Sequence, residues 1–265
     1  MCFERRHPVQ HAAVDRQKTL SYIGQHILVA LEAILVTRTI AQSSAGILAV
    51  LTGDIIGSSK LSVERLNRAR AVVLKGARQF HSKSRKSVVG TPEFFRGDAW
   101  QLLLKEPGRA LRAALYIRAL LSSEIDVETR ISIGVGSVDA IDRSRTSLST
   151  GEAFTLSGHA LDQMTGYFDL SGALPERAGP LAGWFPAILH LSSGLVRHWT
   201  RRQAEIVSLA LLLDNPTHEQ IARTLSPPVS KQTVSESLAG AGWRTLLEAL
   251  WAFEATDWPT VIGLP

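Results

Sequence analysis

The chain has 265 residues, 45% hydrophobic, 20% charged and 6% aromatic, with a formal net charge of +5 at pH 7; this excludes a disordered or fibrous polymer and predicts two globular domains at roughly 100–200 residues each. A single cysteine, Cys2, excludes an intrachain disulfide framework and a thiolate metal site, so a reducing cytoplasm is the expected compartment. No run approaches the roughly eighteen apolar residues of a membrane span, and the N-terminus lacks the apolar run and cleavage site of a signal peptide.

Residues 46–180 carry eighteen basic and fourteen acidic side chains, and residues 181–265 carry six and seven. So dilute a surplus counts against a phosphate-coating nucleic-acid binder and suits a pocket for a small anion.

Residues 1–45 read as an N-terminal extension in which Tyr22, Ile27, Leu28, Leu31, Ile34 and Leu35 recur at helical spacing, predicting a helix over about 20–39. Residues 46–178 form the first domain. Ile47 to Leu51 (ILAVL) is a short apolar run that ends at Thr52-Gly53-Asp54, a buried strand arriving at a loop. After IIGSSK the period becomes helical: Leu61, Leu66, Ala69, Val72, Val73, Ala77 and Phe80 give a first helix, with Ser62 as its cap and the basic HSKSRK at its end. Val88-Val89 and Phe94-Phe95 predict a second strand, Trp100 to Leu104 a third, and Arg96-Gly97-Asp98 their tight connection. A second helix runs from Pro107 to about Ser123, Arg130 to Val138 (RISIGVGSV) alternates as a fourth strand, Thr150 to Met164 is a third helix, and Tyr167 to Leu170 a short fifth strand. The order β-α-β-β-α-β plus one helix and one strand predicts an α+β, ferredoxin-like sheet with helices on one face. Residues 179–265 read as all-helical.

Asp54 at the end of the first strand, followed by the glycine turn Ile55-Ile56-Gly57-Ser58-Ser59, places a hard metal ligand beside free backbone amides. Asp98, with Arg96, sits on the hairpin that pairs beside that strand. Two such carboxylates can bridge divalent cations about 3.5–4 Å apart. Read singly, each aspartate is equally a turn residue, and Arg96 a solvated charge or partner of Asp98. Gly134 and Gly136 permit close backbone approach or mark a bulge.

LTGDIIGSS at 51–59, FRGDAW at 95–100, RISIGVGSV at 130–138 and GEAFTLSGHAL at 151–161, in that order, resemble the class III nucleotidyl cyclase catalytic domain. With a helical tail the chain is similar to the bacterial SatD family. The resemblance implies that Asp54 and Asp98 ligate Mg2+ or Mn2+, that the Ile55 carbonyl reaches a metal, and that the amides from Ile55 to Ser59 hold terminal phosphates of a nucleoside triphosphate or related ligand. It also implies a homodimer with the pocket between subunits. At the catalytic Asn and Arg positions this chain presents Thr155 and His159, and at the base-selecting position Phe94, so the guanidinium that stabilises the transferred phosphate is missing unless a group such as Arg96 supplies it.

In the tail, TRRQAEIVSLALLL, THEQIARTL and SKQTVSESL resemble a helix-turn-helix of the sigma-factor and response-regulator kind. That implies Ser230, Lys231, Gln232, Thr233 and Ser235 at the DNA major groove, with Arg201 and Arg202 as phosphate anchors. A helical bundle packed on the dimer is the other reading, and Trp243 to Phe253 a final amphipathic helix. The expected function is a nucleotide-responsive transcriptional regulator; the alternative is a working nucleotidyl cyclase whose tail serves dimerisation or regulation.

Overall fold

The computed structural model describes residues 46–263 except 85 and 214; the helix expected over 20–39 lies outside the described residues. Five strands form one sheet: β1 (Ile47–Ile55), β2 (Val88–Phe95), β3 (Ala99–Leu104), β4 (Thr129–Ser137) and β5 (Leu170–Ala173). Their spatial order is β2-β3-β1-β4-β5. The first four strands pair antiparallel and β5 pairs parallel to β4, which is the ferredoxin-like arrangement of a βαββαβ unit with one strand added. β1 is central and buried almost throughout, which is why ILAVL is an unbroken apolar run rather than an alternating one.

Helices α1 (Val63–Lys83) and α2 (Ala110–Ile125) cover the face carrying Ile47, Ala49, Leu51, Leu102, Leu104, Ile131 and Ile133. Ser62 caps α1 by accepting the Arg65 amide, as the sequence predicts. The third helix, α3 (Glu152–Asp162), departs from the expectation of helices on one face. It packs on the opposite face, with Ala153 and Phe154 against Leu48, Val50 and Leu103. Small β4 residues permit it: a Cβ on Gly134 would lie 2.2 Å from the Ala153 carbonyl oxygen and 2.5 Å from the Ser157 nitrogen. Here close approach, not a bulge, explains the glycine. The fifth strand also differs, beginning at Leu170 rather than Tyr167; Tyr167 is exposed, and Asp169 is drawn into a buried ion pair described below.

The tail is helical throughout: α4 (Leu181–Val196), α5 (Arg201–Leu212), α6 (His218–Thr224), α7 (Lys231–Gly240), α8 (Trp243–Ala255) and α9 (Trp258–Ile262). Thr200 and Thr217 open α5 and α6 with capping boxes closed by Gln203 and Gln220, which satisfy amides that a helix start leaves orphaned. α2 has eleven buried residues because it is packed on both sides. The core beneath it continues into the tail through Ile206, Val207, Val234, Leu238, Leu250 and Phe253. Phe185, Phe253 and Trp258 join α4, α8 and α9, their ring centroids 5.4–5.9 Å apart. Among the described residues no helix is long and apolar enough to cross a membrane.

The start of α3 is tied to the tail's last helix. Arg177 donates from Nη1 to Glu152 Oε1 at 2.6 Å and from Nη2 to Oε2, while its Nε reaches the Ile262 carbonyl at 2.8 Å. These bonds hold the Glu152 carboxyl below its ordinary value of 4.5. A lowered folded pKa contributes stability above the unfolded value that is lost as pH falls through the folded one. In denaturant unfolding, Glu152→Gln is therefore expected to be less stable than the parent at pH 7, with the gap narrowing as pH falls below 4.5; an undiminished gap at pH 3 would refute the assignment.

Candidate functional site

Asp54 sits at the end of the central strand with a neighbour on each side: its register partners are Ala99 on β3 and Arg130 on β4. Ala99 follows Asp98, so strand pairing alone brings the hairpin carboxylate beside Asp54. The preceding residue has to be glycine, because a Cβ on Gly53 would lie 2.5 Å from the Trp100 indole and 2.8 Å from the Arg130 carbonyl oxygen. Trp100 Nε1 donates to the Thr129 hydroxyl at 3.2 Å, which in turn donates to the Asp54 carbonyl at 2.6 Å. The backbone bearing Asp54 is thereby fixed from below.

Its side chain is fixed from the side. Arg130 Nε donates to Asp54 Oδ1 at 3.0 Å and Nη2 to Oδ2, a two-pronged pair, and Nη1 reaches the Met164 carbonyl at 3.3 Å. The hydrogen bond to Asp54, followed by the charges of Asp54, Asp169 and Asp98, raises the Arg130 pKa above its ordinary value despite partial burial. Asp98 Oδ2 accepts from the Ser58 hydroxyl, bridging the hairpin to the 3-10 turn Ser58–Lys60 that follows Gly57 at φ 66.

These groups border two cavities of about 440 and 420 Å3, both lined by Asp54, Asp98 and Arg130. Arg96, Gln101, Gly158 and Asp162 also line the first, and the turn from Ile55 to Ser59 with Glu128, Asp169 and Arg197 the second. The donors fit a hard divalent cation, which is commonly held by one or two carboxylates together with substrate phosphates. Among the described residues no three His, Cys, Asp or Glu side chains are placed to hold one metal ion together, so the remaining ligands would have to be phosphate oxygens, the Ile55 carbonyl and water. A cation would also compete with Arg130 for Asp54.

The other sequence-predicted residues are less converged. The Ile56 amide donates to the Glu128 carbonyl at 2.9 Å and is withdrawn from the amides expected to hold phosphate; Gly57, Ser58 and Ser59 line the second cavity. Arg96, at φ 51, is exposed at the rim. Phe94 packs against the α1–α2 core with the Arg70 guanidinium 5.9 Å from its ring centroid, and borders neither cavity. Thr155 and His159 are exposed on α3 and border neither cavity either.

In the tail, Ser230 caps α7 by accepting the Thr233 amide at 3.0 Å, and Lys231, Gln232 and Ser235 are exposed along its first turns. Arg201 donates instead to the Ser123 and Glu124 carbonyls at 2.6 and 3.3 Å, closing the end of α2, and Arg202 pairs with Glu205 at 2.6 Å.

Arg130 and Asp169 are the site residues that sequence reasoning missed. For Arg130 the available signal was its place as a charged residue at the start of an otherwise apolar-alternating strand.

No protein-family model and no curated protein matches the sequence. Among solved structures the chain is similar to the guanylyl cyclase Cya2, at 18% identity and a TM-score of 0.35, over 48% of this chain and 75% of that one. It is also similar to a bacterial light-regulated adenylyl cyclase, at 14% identity and a TM-score of 0.36, over 60% of this chain and 56% of that one.

Proposed function

We propose that the chain binds a nucleoside triphosphate or related phosphate ligand with Mg2+ or Mn2+ at the end of β1, as a SatD-like homodimer, and couples binding to DNA through α6 and α7. The observation that carries this reading is the convergence of Asp54, Asp98 and Arg130 on shared cavities beside the Gly57–Ser59 turn. Asp54, Asp98 and the Ile55 carbonyl would hold the cation, which supplies charge neutralisation for phosphate oxygens when bound. Arg130 lines both cavities and already pairs with Asp54, and it can transfer an N–H pair from Asp54 to an incoming phosphate, a geometry that suits its planar fork. The exposure of Thr155 and His159 supports a site completed by a second copy. The exposed polar start of α7 supports a DNA-facing surface, anchored by residues other than Arg201.

The alternative, a working nucleotidyl cyclase, is favoured by Arg130 itself, because it places in this chain's own cavity the positive charge that Thr155 and His159 do not provide. Calorimetric titration of ATP and GTP in the presence of Mn2+, repeated with EDTA, tests the binding. Tight binding lost on chelation is expected, and no heat with either nucleotide would refute it. Cyclic nucleotide and pyrophosphate released in the same incubations would establish the enzyme. A nucleotide-dependent change in anisotropy of labelled promoter DNA is expected of the regulator, and no DNA binding at low salt would remove that half of the proposal.

A further inference from the structure

We propose a second ligand site, for a small aromatic carboxylate, in the cleft between the N-terminal end of α2 and the tail. This cavity, of about 350 Å3, is distinct from the Asp54 site; it is bordered by Lys83, Arg109, Arg112, Glu254, Trp243 and Trp251. Its charge is unbalanced among the described lining residues. Arg109 Nη1 and Arg112 Nε both donate to one oxygen, Glu254 Oε1, at 3.2 and 2.6 Å, and Lys83 is a third cation among the described lining residues. Two guanidiniums carry ten N–H donors between them, far more than one carboxylate oxygen and the Leu211 carbonyl, which Arg112 Nη1 approaches at 3.4 Å, can accept. A second carboxylate is the natural complement of such a pair. The cleft is also lined by two indoles of α8: Trp251, three residues before Glu254 and 52% exposed, unusual for so large an apolar ring on a monomer's surface, and Trp243 at the start of the helix. A planar ring stacked on Trp251, with its carboxylate toward Arg109 and Arg112, fits within the observed volume, which is at the small end of ligand pockets.

The position gives such a ligand a consequence. The same cleft is walled by Leu211 at the end of α5, His218 at the start of α6 and Leu238 of α7 as well as by α8, so α2 and four tail helices border it and an occupant would link their positions.

Benzoate, indole-3-carboxylate and 2-naphthoate, each beside its neutral carboxamide, are titrated into the full chain by calorimetry. At least one carboxylate is expected to bind at least tenfold more tightly than its carboxamide, with Arg112→Met and Trp251→Ala each weakening it at least tenfold. Equal affinity for acid and amide, binding unaltered by Trp251→Ala, or no heat from any acid at millimolar concentration would overturn the proposal. Trp251 is half-exposed and dispensable for the core, so its variant decides the matter if Arg112→Met does not fold.

Discussion

Asp98→Ala is expected to weaken Mn2+-dependent ATP binding by about a hundredfold, whereas Arg130→Gln is expected to move metal and nucleotide affinity in opposite directions. The first effect follows from removing one of two carboxylates on which a shared cation would depend: a contact between charged groups contributes roughly 1.5–3 kcal/mol, and each 1.4 kcal/mol is about tenfold in affinity. The second follows from geometry. Arg130 engages both oxygens of Asp54, so a cation reaching Asp54 has to displace a guanidinium. Glutamine in its place leaves a partly buried carboxylate without a counter-charge, which favours Mn2+ alone by about tenfold; the same change removes the group available to the phosphates and weakens ATP by about tenfold at saturating Mn2+. Calorimetry with Mn2+ alone and then with ATP separates the two. If Arg130→Gln lowered both affinities together, Arg130 would be merely holding the strand end in place, and if Asp98→Ala left ATP binding intact the hairpin carboxylate would lie outside the site.

The sheet was legible because its strands carry distinct patterns. The run 47–51 is apolar on both faces, as suits a central strand covered on both sides, and in RISIGVGSV the residues Ile131, Ile133 and Val135 alternate with Ser132, Gly134 and Gly136. That alternation also held the clue to the misplaced helix. The small residues of β4 form a shallow track, and Ser157 of α3 sits in it, its carbonyl accepting from Ser132 and its hydroxyl 2.8 Å from that of Thr52. Small residues on a strand face and a Ser-Gly pair inside a helix are complementary signals, readable only when considered together. Asp54 and Asp98 were singled out as a pair: either alone reads as a turn residue, but two carboxylates at the ends of adjacent strands can share a cation. Arg130 was not, because its partner lies seventy-six residues away and is specified by the β1–β4 register rather than by local sequence. Arg201 is the reverse case: its position at a helix start resembles a phosphate anchor, yet the nearby end of α2 offers it carbonyl oxygens at the negative pole of a helix.

Asp169→Ala is expected to destabilise the protein by about 3–5 kcal/mol, the largest loss from any single carboxylate in the described residues. Its partner Arg118 lies in α2 among ten other buried residues, all uncharged, and is only 3% exposed. Arg118 donates from Nη2 to Asp169 Oδ2 at 3.0 Å and from Nη1 to the Thr129 carbonyl at 3.1 Å. Burial lowers the Arg118 pKa, and the nearby negative charge of Asp169, then of Glu128, opposes that shift. Glu128 cannot substitute for Asp169, being 3.6 Å away with its side chain 54% exposed, where solvent screens the attraction. Arg197, which also approaches Asp169, at 3.4 Å, would become an uncompensated like charge. The Asp169 backbone joins the same region, its amide donating to the Ser193 hydroxyl at 2.7 Å and its carbonyl accepting from Ile131 at 2.8 Å. Stranding Arg118 therefore strains α2, β4 and α4 together, and because the second cavity includes Asp169 and Arg197 the loss should reach that cavity as well. Removing both partners should cost much less, since a buried ion pair exchanged for apolar groups of similar size is often close to neutral. Urea unfolding of Asp169→Ala, Arg118→Met and the double variant measures the coupling; a double variant as unstable as the sum of the singles would mean that the two groups act independently and that the pair does not hold α2 to the edge of the sheet.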